Sequence, residues 1–459
     1  MSDAARMGFI VATILAFGFF VFKKRSFDLL TIAYIGVLFY FSPLYWGKVL
    51  QSSHDIDPAI PFPVYLIATA FVLALVVAGI ISGRYSGDQI AATPTVRSLS
   101  GWYLILALIG LVGAIVWSRG AIFNADKVQN LKEIGYLYVF FEIAASLACI
   151  SAAMEGRWRI VAGGALLLTV DLLVGIRAFV VLTALSVALV MLMREGRIRL
   201  LTKAATYGSA AVLLIGAMLL VHTARFAIFD QVIIQENAPR TVRAPEMRGD
   251  ILQTDKAKTP APAPSGSTAS PISAAVDDVS KFSKWLQIPF QLLQRSEPAI
   301  IQATLAGIVH RDVSCRPVNI LKSLFLLVPP GLTALAPNIF PPTFYDEYQP
   351  ILYPNITYGT GGNIWAEMLC RFGYIGVAIF GVLLILALIG SYELLRKASP
   401  VAAAPIAFGG VVIAFYINRN DLHYTLVMLR QIALVFIGTY AVSAIAAKAR
   451  GASLWIDKS

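Results

Sequence analysis

Long apolar runs alternate with short polar breaks along most of the chain. A helix needs about 20 apolar residues to cross the ~30 Å hydrocarbon core of a bilayer, and fewer at the margin. By that criterion, runs at 7–22, 27–46, 62–82, 101–118, 135–154, 160–174, 178–193, 204–222, 372–391, 401–418 and 424–447 predict eleven spanning helices. Runs 160–174 and 178–193 meet at Gly175-Ile176-Arg177, which predicts a hairpin turn. The expected fold class is an all-α polytopic membrane protein. Composition agrees: hydrophobic residues make up 58% of the 459 positions and charged residues 14%, where a soluble domain carries about 25% charged residues.

The basic residues orient these spans. Placing Lys23-Lys24-Arg25 in the cytoplasm and alternating puts 16 Lys and Arg in cytoplasmic segments and 8 in the short outer ones. Cytoplasmic loops carry the excess of basic residues, and long loops translocate regardless of charge. The N-terminus is therefore expected outside, the C-terminus inside and the long segment 223–371 outside. Three regions result: 1–222 with spans one to eight, the loop 223–371, and 372–459 with spans nine to eleven. The formal charge of +11 is read as topology, so no nucleic-acid partner is expected. Basic residues follow the first run in place of a small-residue cleavage site, so no cleaved signal peptide is expected. Three cysteines make neither a disulfide framework nor a metal motif. Cys149 lies in a span and is expected to stay reduced. Cys315 and Cys370 share the outer compartment, and the sequence leaves both pairing and free thiols open.

The loop is heterogeneous. Residues 256–275 are Pro/Ala/Ser-rich, cannot bury enough apolar surface to offset ordering entropy, and are predicted disordered. Residues 281–309 carry spaced apolar positions interrupted by Pro289 and Pro298, which predicts short amphipathic helices on the membrane surface or packed on the bundle. Residues 320–337 are apolar but split by Pro329-Pro330-Gly331, which predicts a re-entrant or interfacial hairpin.

Candidate chemistry gathers on the outer side. No P-loop, dinucleotide fingerprint, HExxH or GxSxG motif is present, so energy must come from an ion gradient or an activated substrate. Glu142 and Asp171 lie inside spans, where an ionisable group is either functional or held neutral or paired between helices. Arg177 sits at the tip of the hairpin and fits either a lipid phosphate or an anionic substrate. In 358–377, Gly359, Gly361 and Gly362 allow a sharp backbone turn before a helix starting near Asn363. From there Asn363, Glu367, Arg371 and Tyr374 recur at helical spacing as one polar stripe. The plain alternative is an exposed i,i+4 Glu–Arg pair worth about 0.3–0.5 kcal/mol. Gly373 and Gly376 would permit close helix approach. A second cluster, 418–424, holds Arg419 and His423 at i,i+4 spacing, with a plain polar turn as its alternative. A third, His310-Arg311-Asp312, lies in the long loop. Together they form a cationic rim.

The pattern P-P-x-x-x-x-L-x-P followed by G-G-N-x-x-A-E-x-x-x-x-F-G-Y-x-G (329–376), with the Gly-x-Arg turn opening GIRAFVVLTALS (175–186), resembles the bacterial oligosaccharide repeat-unit (O-antigen) polymerases. The Arg-x10-Gly spacing of some members occurs here only from Arg25 and Arg197, both in cytoplasmic segments. The resemblance implies a GT-C-like glycosyltransferase of the inner membrane, with 223–371 as its periplasmic loop. It would join undecaprenyl-pyrophosphate-linked oligosaccharides with lipid pyrophosphate as leaving group. Its partners would be that substrate, membrane lipids and a chain-length regulator. Arg suits the departing pyrophosphate through bidentate, permanent charge, and the acceptor hydroxyl needs a base in hydrogen-bond reach. The expected substrate contacts are Arg177, Arg311, Arg371, Arg419, Asn363 and Tyr374. The expected base is Glu367, His310 or His423. No cofactor is expected, and the outer segments show no acidic metal motif. The alternatives are an O-antigen ligase acting on lipid A-core and, more distantly, a flippase for lipid-linked sugars, which would more often show internal repeats.

Overall fold

The computed structural model describes residues 2–22, 27–49, 59–83, 98–118, 135–174, 177–195, 297–328, 342–353 and 362–449. The chain divides into two compact units, Met1–His222 with Arg295–Ser459, and Thr223–Gln294. All described residues belong to the first. Span 204–222, the low-complexity stretch 256–275, residues 281–296 and the turn at Pro329-Pro330 lie outside the described residues.

The described architecture is helical. In the first part of the chain these are α1 (Ser2–Phe17), α2 (Leu29–Tyr40), α3 (Pro43–Trp46), α4 (Phe62–Ile81), α5 (Ser100–Trp117), α6 (Tyr136–Glu155), α7 (Trp158–Val174) and α8 (Ala178–Glu195). After the long interruption come α9 (Glu297–Arg311), α10 (Val318–Ser323), α11 (Phe344–Leu352), α12 (Ile364–Lys397), α13 (Pro400–Phe415) and α14 (Leu422–Ala449). The β pairing seen among the described residues is an isolated bridge, Lys48 to Ala59.

Seven described helices are long and apolar enough to cross a membrane: Ser2–Val21, Phe62–Ile81, Ser100–Trp117, Tyr136–Glu155, Ile364–Lys397, Pro400–Asn418 and Leu422–Ala449. Three more of the expected spans are shorter helices. Run 27–46 forms α2 and then breaks at Pro43, which opens α3. Runs 160–174 and 178–193 form α7 and α8.

Helix α6 is the hub. It packs against α5, α7, α8, α13 and α14, and from Phe141 to Ala153 every residue is buried. Small residues at Ala144, Ala145, Ala148 and Ala152 let neighbours approach closely. The outward faces are apolar instead. Ile14, Ile81, Val116, Ile375 and Val382 are exposed, the arrangement that hydrocarbon solvates and water does not.

The loop elements take one of the two expected placements. Helix α9 buries its central stretch, including Ile301, Leu305 and Ile308, against α2, α4, α11 and α12. It is a packed part of the bundle rather than a surface helix. Its Pro298 stands in the first turn, where the missing N–H costs nothing. Residues 318–327 form α10 and a 3-10 turn, too short to span, with Leu321 and Phe325 exposed.

Candidate functional site

Helix α12 begins where the sequence places it, because Asn363 caps it. Its Oδ1 accepts from the N–H groups of Trp365 (2.9 Å) and Ala366 (3.3 Å), and its Nδ2 donates to the Ile301 carbonyl at 3.3 Å. One buried amide thus satisfies orphan donors of α12 and ties it to α9. The Trp365 indole N–H donates to Asn418 Oδ1 at 3.0 Å. Gly362 explains the close fit: a Cβ there would lie 2.6 Å from the Asp421 backbone nitrogen. Gly359 and Gly361 lie outside the described residues.

One turn on, Glu367 and Arg371 form the expected i,i+4 pair, but it is not a surface pair. The Arg371 side chain is 1% exposed. Its Nε donates to Glu367 Oε1 at 3.0 Å and a terminal nitrogen pairs with Glu347 Oε1 at 2.8 Å. The other terminal nitrogen donates to the Arg316 carbonyl at 2.6 Å. Both carboxylates are held further. Glu367 Oε2 accepts from the Leu422 N–H at 2.8 Å, and Glu347 accepts from the Arg316 N–H and Asn319 Nδ2, each at 3.0 Å. A disulfide joins Cys315 to Cys370, and the Cys315 N–H donates to the Cys370 carbonyl at 3.0 Å.

Arg371 is therefore a clamp joining segment 315–319, α11, α12 and the start of α14. With two carboxylates around one guanidinium the group carries no spare positive charge for an anion. All three Arg371 nitrogens are used inside the protein, and so are both oxygens of Glu367. Their position makes them positioning residues for what surrounds them.

Asp421 extends the clamp. The backbone N–H of Tyr424 donates to its carboxylate at 2.8 Å, so it caps α14, and the Phe344 N–H at the start of α11 favours its charged form. Burial raises its pKa above the usual carboxylate range, while those donors and the charges of His423 and Arg371 pull it back.

The stripe ends at Gly373. Its φ of 64° and ψ of −159° break the helical path of α12, a conformation that L side chains rarely adopt. Tyr374 then lies 57% exposed beyond the kink, not in register with Arg371. Gly373 acts through this kink, since nothing approaches within 4 Å of a Cβ built there.

The Arg419–His423 spacing is also not helical, because α14 starts only at Leu422. Arg419 leaves the preceding 3-10 turn, pairs with Glu297 at the start of α9, and bonds the Tyr416 hydroxyl. Its guanidinium lies 4.9 Å from the centroid of the Tyr416 ring. In contrast to Arg371 it is partly open, with 30% side-chain exposure. Tyr424 flanks it with its ring 6.1 Å from that of Tyr416 and 42% exposed. Arg419, Glu142, Asp421 and Glu297 all lie within electrostatic reach of the Tyr424 hydroxyl.

His423 is half-buried beside Asp421, Asp346 and Arg430, and its Nδ1 has no hydrogen-bond partner among the described residues. His310 and Arg311 lie at the far end of α9, about 20 Å along the helix from Glu297. Their side chains bond the carbonyls of Ala59 (3.1 Å) and Ile351 (2.7 Å). Arg177 is exposed at the start of α8. The structure thus gathers Asn363, Glu367, Arg371, Arg419 and His423 at one end of the bundle.

Two residues there were not picked out from the sequence. Glu347 sits in no motif, and only the fold brings it to Arg371. Arg430 donates to the carbonyls of Leu326 (2.8 Å) and Val328 (3.2 Å), holding the turn after α10 against α14. Its signal was available, since an arginine inside an apolar span is costly unless partnered. Among the described residues no group of three or more His, Cys, Asp or Glu side chains is placed to hold a metal ion.

The disulfide gives a direct check. Mass spectrometry of unreduced protein is expected to recover a linked Cys315–Cys370 peptide, with Cys149 as a free thiol. Replacing both Cys315 and Cys370 by alanine should cost about 2–4 kcal/mol, read as a lower melting temperature. Free thiols at both positions in the native protein would remove the pairing.

No family model, curated protein or solved structure matches the chain.

Proposed function

We propose that this chain polymerises undecaprenyl-pyrophosphate-linked oligosaccharide repeat units at the periplasmic face of a bacterial inner membrane. In this reading the apolar runs supply eleven spans, and the basic-residue bias orients them with the N-terminus outside. The observation that carries the reading is the contrast between two arginines at one end of the bundle. Arg371 is saturated and holds the scaffold. Arg419 stays partly open over an aromatic wall of Tyr416 and Tyr424. A semi-exposed guanidinium beside tyrosines suits a diphosphate linked to sugar, since Arg matches phosphate geometry and aromatic faces stack on sugar rings. A disulfide at the same end suits an oxidising compartment.

In this reading a hydroxyl of the incoming unit attacks the anomeric carbon of the growing chain. The bond from that carbon to the phosphate oxygen breaks, and lipid pyrophosphate leaves with the electron pair beside Arg419. The hydroxyl proton passes to His423, which stands four residues from Arg419 at the same end of the bundle, whereas both oxygens of Glu367 are already taken. Arg371, Glu347 and Glu367 keep α11 and α14 in place around it.

The test is reconstitution in lipid vesicles with a lipid-pyrophosphate-linked repeat unit as sole substrate. A ladder of products differing by one repeat is expected. Transfer only to added lipid A-core, with no ladder, would reassign the activity to a ligase. No transfer to either acceptor by folded protein would discard the reading.

A further inference from the structure

Two acids sit inside the bundle, and among the described residues no counter-charge pairs with them. Glu142 on α6 and Asp171 on α7 are 2% and 0% exposed. The Tyr138 hydroxyl donates to Asp171 Oδ1 at 2.7 Å. Asp171 Oδ2 and Glu142 Oε1 are both buried and have no hydrogen-bond partner among the described residues. Glu142 follows Tyr138 by one helical turn on α6, so that bond brings Asp171 to the face that carries Glu142.

The surroundings do not neutralise them. Helix α6 packs against α5, α7, α8, α13 and α14. The titratable groups shown to reach Glu142 are Asp171 and Tyr138 from α7 and α6, and Tyr424 from α14. From α8, Thr183 donates to Ser146 at 2.7 Å, and Ser146 donates back to the Glu142 carbonyl at 2.7 Å. These hydroxyls fix the backbone and leave the carboxyl untouched. Among the described residues no Lys, Arg or His pairs with either acid.

Two bare carboxylates here would each lose their hydration without a counter-ion and would repel one another. The orphan oxygens are closed to water, so a hydrated cation has no room beside them. A proton needs no room. Placed on one carboxyl, it removes one of the two buried charges and their mutual repulsion. This is the arrangement known from paired carboxyls that share a proton because two like charges cannot both persist at close range.

We infer that Glu142 and Asp171 together hold one proton at neutral pH, forming an intramembrane proton-binding site in the wall of the bundle. The site stands independently of the glycosyl-transfer reading.

The experiment is infrared spectroscopy of the full-length protein in lipid vesicles, which needs no substrate. At neutral pH the wild type is expected to show the carbonyl stretch of a protonated carboxylic acid, shifted in heavy water. Glu142→Gln with Asp171→Asn should abolish it. Tyr138→Phe should keep the band but move its frequency, since it removes one bond to the pair. If the double variant does not fold, each single variant must lose or shift the band. A wild-type spectrum without this band, or a band unchanged in every variant, would overturn the proposal. A band that disappears on adding sodium would also overturn it, reassigning the site to a metal cation.

Discussion

Arg371→Ala is expected to loosen the whole charged end of the bundle and to reduce stability by about 3–5 kcal/mol, the cost of breaking a buried ion pair by removing one partner. Glu367 would remain buried and Glu347 half-buried without their shared cation, and the Arg316 carbonyl would lose its donor. Arg371→Lys should recover little. A single ammonium cannot reproduce a planar fork that reaches two carboxylates and a carbonyl from three nitrogens. Thermal unfolding of the purified protein, with membrane levels checked by blot, measures the effect. Polymer should fall in step with folded protein. Wild-type melting of Arg371→Ala would reject the clamp and return Arg371 to the direct pyrophosphate contact that the polar stripe suggests.

The contrast between that stripe and the structure shows what a single chain reveals. Asn363, Glu367 and Arg371 were legible because a helical period of 3.6 puts them on one face and an asparagine caps well. Burial of the pair was not legible, because Glu347, Arg316 and Asn319 reach it from segments whose spacing carries no pattern. Tyr374 was misplaced because the period was carried across Gly373, where the backbone leaves the helix. Arg419 and His423 were paired by the same extrapolation, although α14 begins between them. Long apolar runs made seven spans readable. Shorter runs were readable as helices, but their depth in a bilayer depends on neighbours that length does not encode. The acid pair Glu142–Asp171 showed itself only as two costly residues, since α6 and α7 meet through tertiary packing.

Arg419→Ala is expected to separate function from stability, which Arg371→Ala cannot do. The Arg419–Glu297 pair is partly exposed, at 30% and 49% of the two side chains, and such pairs contribute about 0–1 kcal/mol. Folding and membrane level should therefore stay near wild type. In the proposed reaction Arg419 is a partly open cation beside the leaving group, and its loss should slow transfer by roughly 10²–10³, the effect of removing one preorganised donor to developing negative charge. Glu297→Gln supplies the matching control. It frees Arg419 from a competing carboxylate without removing the cation, so polymer should persist. Ladders are read in a strain lacking the native gene, alongside melting of each purified variant. Full-length ladders from Arg419→Ala at wild-type levels would exclude Arg419 from the reaction and leave the exposed Arg177 and Arg311 to test. Loss of ladder with equal loss of stability would make Arg419 a second structural clamp through Glu297 and Tyr416. Loss of ladder with melting unchanged, beside a working Glu297→Gln, is the outcome that an open guanidinium serving a departing diphosphate requires.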